Sequence, residues 1–307
     1  MVFFATLYFL TIMGGELKIN KILSAVDLGP DTEKVIAYAL WLSGAGGAEK
    51  AEIDMLYVMD YALTPPGYLM PYIEKEKKTD EKELEKWVLK LKPYGIASKH
   101  VIASGRLVET FNVSTKDLNA DILVLGHKSH MIRPSSSERL IKSLDIPMMV
   151  VRGKKSENAR LGSVNIKRIL CAVDFSGPSK KALEFAKLLS ENTSSELTVA
   201  HVVSSVKMEK GLQKWKDMTE ADRSGYKDAL VKEAEERMCS FLNVCDRAKS
   251  VVRIGVPYTA VNDIAAEIDV DLIVMGARGL SYTKGVMLGS VSESIIKSSP
   301  CPAVITR

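Results

Sequence analysis

Apolar residues occur along this chain in short unbroken runs, separated by longer stretches with helical spacing. Leu272 to Met275 (LIVM) is one such run, framed by Asp271 and Gly276. A run this short and this continuous fits a strand covered on both faces. Ala182, Phe185, Ala186, Leu188 and Leu189 instead recur at a helical period, which predicts a helix with one buried side. The two signals alternate throughout the chain.

The alternation happens twice. Ile22-Leu23-Ser24-Ala25-Val26-Asp27 returns as Ile169-Leu170-Cys171-Ala172-Val173-Asp174, each followed by turn residues and a helical stretch. Further strands are predicted at Ile53 to Val58 and Leu197 to Val203, and at His100 to Ala103 and Ser250 to Ile254. Others fall at Asp121 to Leu125 and Asp271 to Met275, and at Met148 to Arg152 and Ala303 to Thr306. Long polar helices are predicted over Glu74 to Leu91 and Met218 to Asn243. Strands that alternate with helices imply an α/β fold: two tandem open domains, each with a five-stranded parallel sheet. The predicted organisation is an N-terminal extension at 1–16, domain 1 at 17–153, a linker at 154–165 and domain 2 at 166–307. In such sheets ligands bind beyond the carboxyl ends of the strands, where the winding reverses. That places Asp174, the loop after Met275 and the end of the second strand around one crevice.

Composition adds limits. The chain has 307 residues, enough for two cores, and a net charge of +4, too small a bias to argue for a nucleic-acid or membrane partner. Its four cysteines, Cys171, Cys239, Cys245 and Cys301, lack C-x-x-C spacing and are expected to be buried thiols in a reducing compartment. Met1 to Met13 is apolar but shorter than the roughly 20 residues of a spanning helix, and has no basic n-region. It is read as an extension to a cytoplasmic protein.

The chemistry concentrates near the C-terminus. Gly276 and Gly279 sit in a loop after a buried strand, and Gly289-Ser290 stands where a helix should start. Glycines let an anion approach the main chain, and a helix start offers free N–H groups and positive potential. No G-x-x-x-x-G-K-[ST], kinase signature or hydrolase G-x-S-x-G accompanies them. His127 and His130 lack further metal ligands beside them, and His201 is expected to be a packed strand residue.

Gly276-x2-Gly279-x9-Gly289-Ser290, with the Asp-ended first strand and the closing Pro300-Cys301-Pro302, resembles the nucleotide loop of the universal stress protein family. The resemblance covers two tandem domains from about Lys18 to Arg307. It implies a Rossmann-like, adenine nucleotide alpha hydrolase-like fold with strand order 3-2-1-4-5. It further implies an ATP or AMP site in domain 2 formed by Ala172, Val173, Asp174, Val202, Met275, Gly276, Ala277, Arg278, Gly279, Gly289, Ser290 and Val291. Mg²⁺ or Mn²⁺ would ride on the phosphates. The domains are expected to form an internal pseudo-dimer through their fifth strands, with a further homodimer and an unidentified protein partner left open. The implied role is a stress-response sensor, with weak ATP hydrolysis through Asp174 or a structural scaffold as alternatives.

Domain 1 departs from this pattern. From Gly126 to Pro134 is 8 positions, against 13 from Gly276 to Gly289, and Ser129 replaces the second glycine. Pro134 also lacks an N–H where one is needed. Asp27, Val58, Gly126 and Ser135 therefore mark a second, weaker site, with Lys128 and Arg133 available to a smaller anion. Asp27 is expected to cap its own turn. Arg278 and Lys284 are candidate phosphate partners within the second loop.

Overall fold

A computed structural model describes residues 17–47, 49–60, 67–127, 135–206, 218–242, 248–279 and 288–307. The apolar extension at 1–16, Lys128, Ser129, His130, Arg133, Pro134, Cys245 and Lys284 lie outside them. The first half runs β1 (Lys21–Ala25), α1 (Thr32–Ala45), β2 (Glu52–Asp60), α2 (Met70–Leu91), β3 (Ser98–Gly105), α3 (Leu107–Asp117), β4 (Ile122–Gly126), α4 (Ser136–Ser143) and β5 (Met148–Val151). The second half repeats it: β6 (Arg168–Val173), α5 (Gly177–Thr193), β7 (Glu196–Ser204), α6 (Glu220–Leu242), β8 (Lys249–Gly255), α7 (Pro257–Glu267), β9 (Leu272–Gly276), α8 (Ser290–Ser298) and β10 (Ala303–Thr306).

Each half has the predicted strand order 3-2-1-4-5, and every pairing within a half is parallel. The halves do not remain separate sheets. β5 and β10 pair antiparallel, with Met149 opposite Val304, and fuse the two into one ten-stranded sheet. Apolar strands buried on both faces demand cover on both faces. One core lies under α1, α2, α5 and α6, and the other under α3, α4, α7 and α8; each runs through both halves.

Local chemistry sets the element ends. Ser176 caps α5 by accepting from the Ser179 N–H at 3.3 Å, with Pro178 in the first turn. Asp121 and Asp271, just before β4 and β9, accept main-chain N–H groups from the starts of β1 and β6 at 2.8–3.0 Å. These repeated latches fix the register of the two central strands in each half. α2 begins earlier than the polar pattern suggested, with Pro71 in its first turn. The cysteine expectation needs one correction. Cys171 and Cys301 are buried, and burial pushes the Cys301 thiol up to about 12, but Cys239 is exposed on α6. No helix among the described residues is long and apolar enough to cross a membrane.

Asp54 on β2 is the chief polar intrusion into the core. It is 1% exposed, and Lys21 and Lys99 stand 3.8 and 3.7 Å from its carboxylate. Burial outweighs both lysines and raises its pKa above the ordinary 3.8. A raised carboxylate pKa means the folded state holds the proton more tightly. Stability is therefore lost as pH rises from the ordinary value through the raised one. Lys21 keeps Glu52 at 3.0 Å if Asp54 is neutralised. Asp54→Asn should raise the melting temperature at pH 7 by about 2–4 °C, and the gain should vanish near pH 3. Thermal melts of both proteins at the two pH values check this.

Candidate functional site

The expected second-half residues converge at the carboxyl ends of β6, β7 and β9. Ala172 on β6 lies in register with Met275 on β9, and Val202 lies on the neighbouring β7. Ala172, Val202, Met275, Ala277 and Val291 all pack with the core under α7 and α8, so they share one face of the sheet. Val173 belongs to the opposite core, so it can border this crevice through its main chain alone.

Asp174 and Gly279 meet across the crevice. Asp174 Oδ1 accepts from the Ser176 N–H at 3.1 Å and from its hydroxyl at 2.5 Å, which tightens the turn after β6. Phe175, in that turn, has φ of 63°, and its counterpart Leu28 has φ of 55°. The other carboxylate oxygen, Oδ2, stands where a Cβ on residue 279 would collide with it. Gly276 is restricted in the same way: its missing Cβ would lie 3.0 Å from the Pro178 carbonyl carbon. Gly276 is therefore favoured by close approach of the Pro178 main chain, and Gly279 by close approach of the Asp174 carboxylate.

The start of α8 is built differently from the sequence expectation. The Gly289 N–H donates to the Ala277 carbonyl at 2.7 Å, so it braces the loop. Ser292 Oγ reinforces the brace by donating to the Gly276 and Ala277 carbonyls at 3.0 and 3.1 Å. Gly289 is the N-cap, and no side chain caps the helix. The first-turn N–H groups beyond it, from Ser290 and Val291, have no acceptor inside the helix. They supply the positive end of the α8 dipole.

The first half closes the same position with its own atoms. Ser135 is the N-cap of α4, and its Oγ accepts from the Glu138 N–H at 3.2 Å. Ser137 Oγ, the counterpart of Ser292 Oγ, lies 2.9 Å from both Ser135 Oγ and His127 Nδ1. Asp27, Val58, Gly126 and Ser135 do come together, around a cavity of about 270 Å³. Asp31 and Asp60 also line it, and its described wall holds no Lys, Arg or His. Asp27 caps its own turn as expected, accepting from the Gly29 N–H at 2.9 Å. Asp31 and Asp60 are each paired with a cation, Lys34 at 2.9 Å and Arg139 at 3.0 Å.

His201 is packed on the opposite face, its ring 4.3 Å from that of Phe175. Burial lowers its pKa, against a smaller opposing effect of its Nδ1 contact with the Val173 carbonyl at 2.9 Å. Among the described residues no group of three His, Cys, Asp or Glu side chains could hold a metal ion. Reading the sequence missed the Ser292 brace. Its signal was the Ser-Glu pair, Ser137-Glu138 and Ser292-Glu293, which recurs at both helix starts.

A doubly wound α/β repeat with a glycine loop facing its first-strand aspartate forms a crevice at the carboxyl ends of its strands, where such folds take their ligands. The sequence profile of the universal stress protein family matches residues 18–152 and again 165–307, and the chain belongs to that family. The universal stress protein MJ0577 of Methanocaldococcus jannaschii is 27% identical over 157 residues, which are 47% of this chain and 97% of that protein. A universal stress protein structure from Archaeoglobus fulgidus matches over 94% of this chain and 98% of its own, with TM-score 0.66 and 22% identity. That similarity shows the shared tandem fold. A universal stress protein solved in complex with cAMP is 21% identical and covers 47% of this chain and 98% of its own, with TM-score 0.32.

The cap asymmetry is measurable without ligand. Ser135→Ala should cost about 1 kcal/mol of stability, the usual value of a lost N-cap. Ser290→Ala, at an exposed position with no capping role, should change stability by less than about 0.5 kcal/mol. Denaturant unfolding of the two variants checks the difference.

Proposed function

We propose that the second half binds an adenine nucleotide, ATP or AMP, and serves as a nucleotide-sensing module in a stress response. One observation carries the reading: the second half leaves the start of α8 uncapped beside glycines held open against Asp174, whereas the first half caps α4 with Ser135. The uncapped turn suits phosphate oxygens. Ala172, Val202, Met275 and Val291 offer an apolar wall for the base, and Asp174 Oδ2 offers an acceptor for ribose hydroxyls. Arg278, half-exposed in the loop, would pair with the phosphates. A Mg²⁺ or Mn²⁺ ion would be held by the phosphates, not by a protein cage. The cAMP complex within the family supports an adenine ligand.

Asp174 is better placed to orient a ligand than to activate water, because one of its oxygens already holds Ser176 twice. The reading is therefore binding that changes loop order and partner choice, with an unidentified protein as the receiver.

Thermal melts with ATP and Mg²⁺ test it. At ten times the Kd, ATP should stabilise the protein by about 1.4 kcal/mol. Gly279→Ala should remove the shift by driving a Cβ into Asp174. Gly126→Ala, whose Cβ would meet Val35 at an ordinary 3.4 Å, should keep it. No shift in the unaltered protein at millimolar ATP, together with no nucleotide released on denaturing it, would overturn the reading. Phosphate release abolished by Asp174→Asn would replace it with slow hydrolysis.

A further inference from the structure

Each fifth strand is followed by an arginine, and each arginine crosses to the other half. Arg152, after β5, donates through Nη1 to the Ile296 carbonyl of α8. Arg307, after β10, donates through Nη2 to the Ile141 carbonyl of α4 at 2.5 Å. Ile141 and Ile296 occupy equivalent places in their helices. The last carbonyls of a helix lack intrahelical donors and carry the negative end of its dipole. A guanidinium placed there answers both needs.

The first half holds α8 at a second point. Lys142 Nζ on α4 lies 2.7 Å from Glu293 Oε1, in the first turn of α8. Glu293 is held by Lys297 at 2.9 Å as well, and Lys142 first, then Lys297, keep its carboxyl below the usual range. One half of the chain therefore grips the other half's helix near both ends.

The two gripped helices differ in what else fixes them. α4 has its own Ser135 cap, and α8 has none. The α8 start is instead tied to the crevice loop, through Gly289 and Ser292 on the Gly276 and Ala277 carbonyls, so the placing of the helix and of that loop are linked. Arg152 also sits where burial opposes its charge, and its Nε is enclosed without a hydrogen-bond partner. An arginine kept under those conditions acts through the contact it makes.

We propose that Arg152 is a positioning residue for the nucleotide crevice of the other half: it anchors the C-terminal turn of α8 and so aims the Ser290 and Val291 N–H groups at the ligand. This rests on the nucleotide reading above. It gives the first half a task, which is to set the affinity of the second.

The test is ATP affinity by titration calorimetry on the full chain. Arg152→Ala should raise the Kd about five- to tenfold, a coupling of ordinary size between sites. Arg152→Lys, which keeps a cationic donor, should recover part of it, and Lys142→Ala should give a smaller rise. Asn192→Ala is the control for general loosening of the interface. Its Nδ2 bonds the Ala45 carbonyl of the other half at 3.0 Å, away from α8. It should lower the melting temperature without moving the Kd. An unchanged Kd in Arg152→Ala, or an equal rise in Asn192→Ala, overturns the proposal. If the unaltered protein binds no ATP, the nucleotide reading has failed, and amide exchange then tests the clamp alone. The α8 first-turn amides should exchange faster in Arg152→Ala than in Asn192→Ala; equal rates would overturn it.

Discussion

The pairing of β5 with β10 is the interaction on which the rest of the structure depends. Met149 faces Val304, its own counterpart, so the contact is the isologous kind found in two-fold dimers, here inside one chain. Without it each half would expose a four-residue, largely apolar edge strand that is now fully buried, an invitation to association. With it, the sheet is continuous and both helix layers share cores across the join. The residue that follows Arg152 is fitted to the same seam. Gly153 has φ of 82°, and a Cβ there would collide with the Pro300 carbonyl.

That seam lets the two copies diverge chemically while keeping one scaffold. Both retain the strand-end aspartate, the residue with positive φ after it and the serine in the first turn of the last helix. They differ in what fills the space at that helix start. In one copy a serine hydroxyl takes the helix donor, and carboxylates line the cavity. In the other a glycine stands at the cap, its own N–H tied to the Ala277 carbonyl. A helix start without a side-chain cap keeps its first N–H groups available to an anion, and one closed by its own serine gives up one of them.

Much of this was legible in the sequence. The repeat and the contrast between glycine-rich and serine-rich loops are local patterns with a local cause, and the strand order followed from the family resemblance those motifs carry. The parts that were not legible depend on contacts between distant segments. Nothing near Gly289 announces that its N–H is taken by the Ala277 carbonyl, or near Val173 that its side chain faces the other core. Cys239 looked buried by residue type, but its place on the outward side of α6 exposes it. The arginines after β5 and β10 are unremarkable in sequence. They acquire meaning once the antiparallel pair brings each against the other half's helix.

The central proposal is that a single chain carries one nucleotide crevice, in its second half. Binding stoichiometry tests that most directly. Equilibrium titration of the full chain with ATP and Mg²⁺ should give one site per chain. Two equivalent sites per chain, or a single site that persists in Gly279→Ala and is lost in a variant of the first-half cavity such as Val58→Trp, would contradict the account.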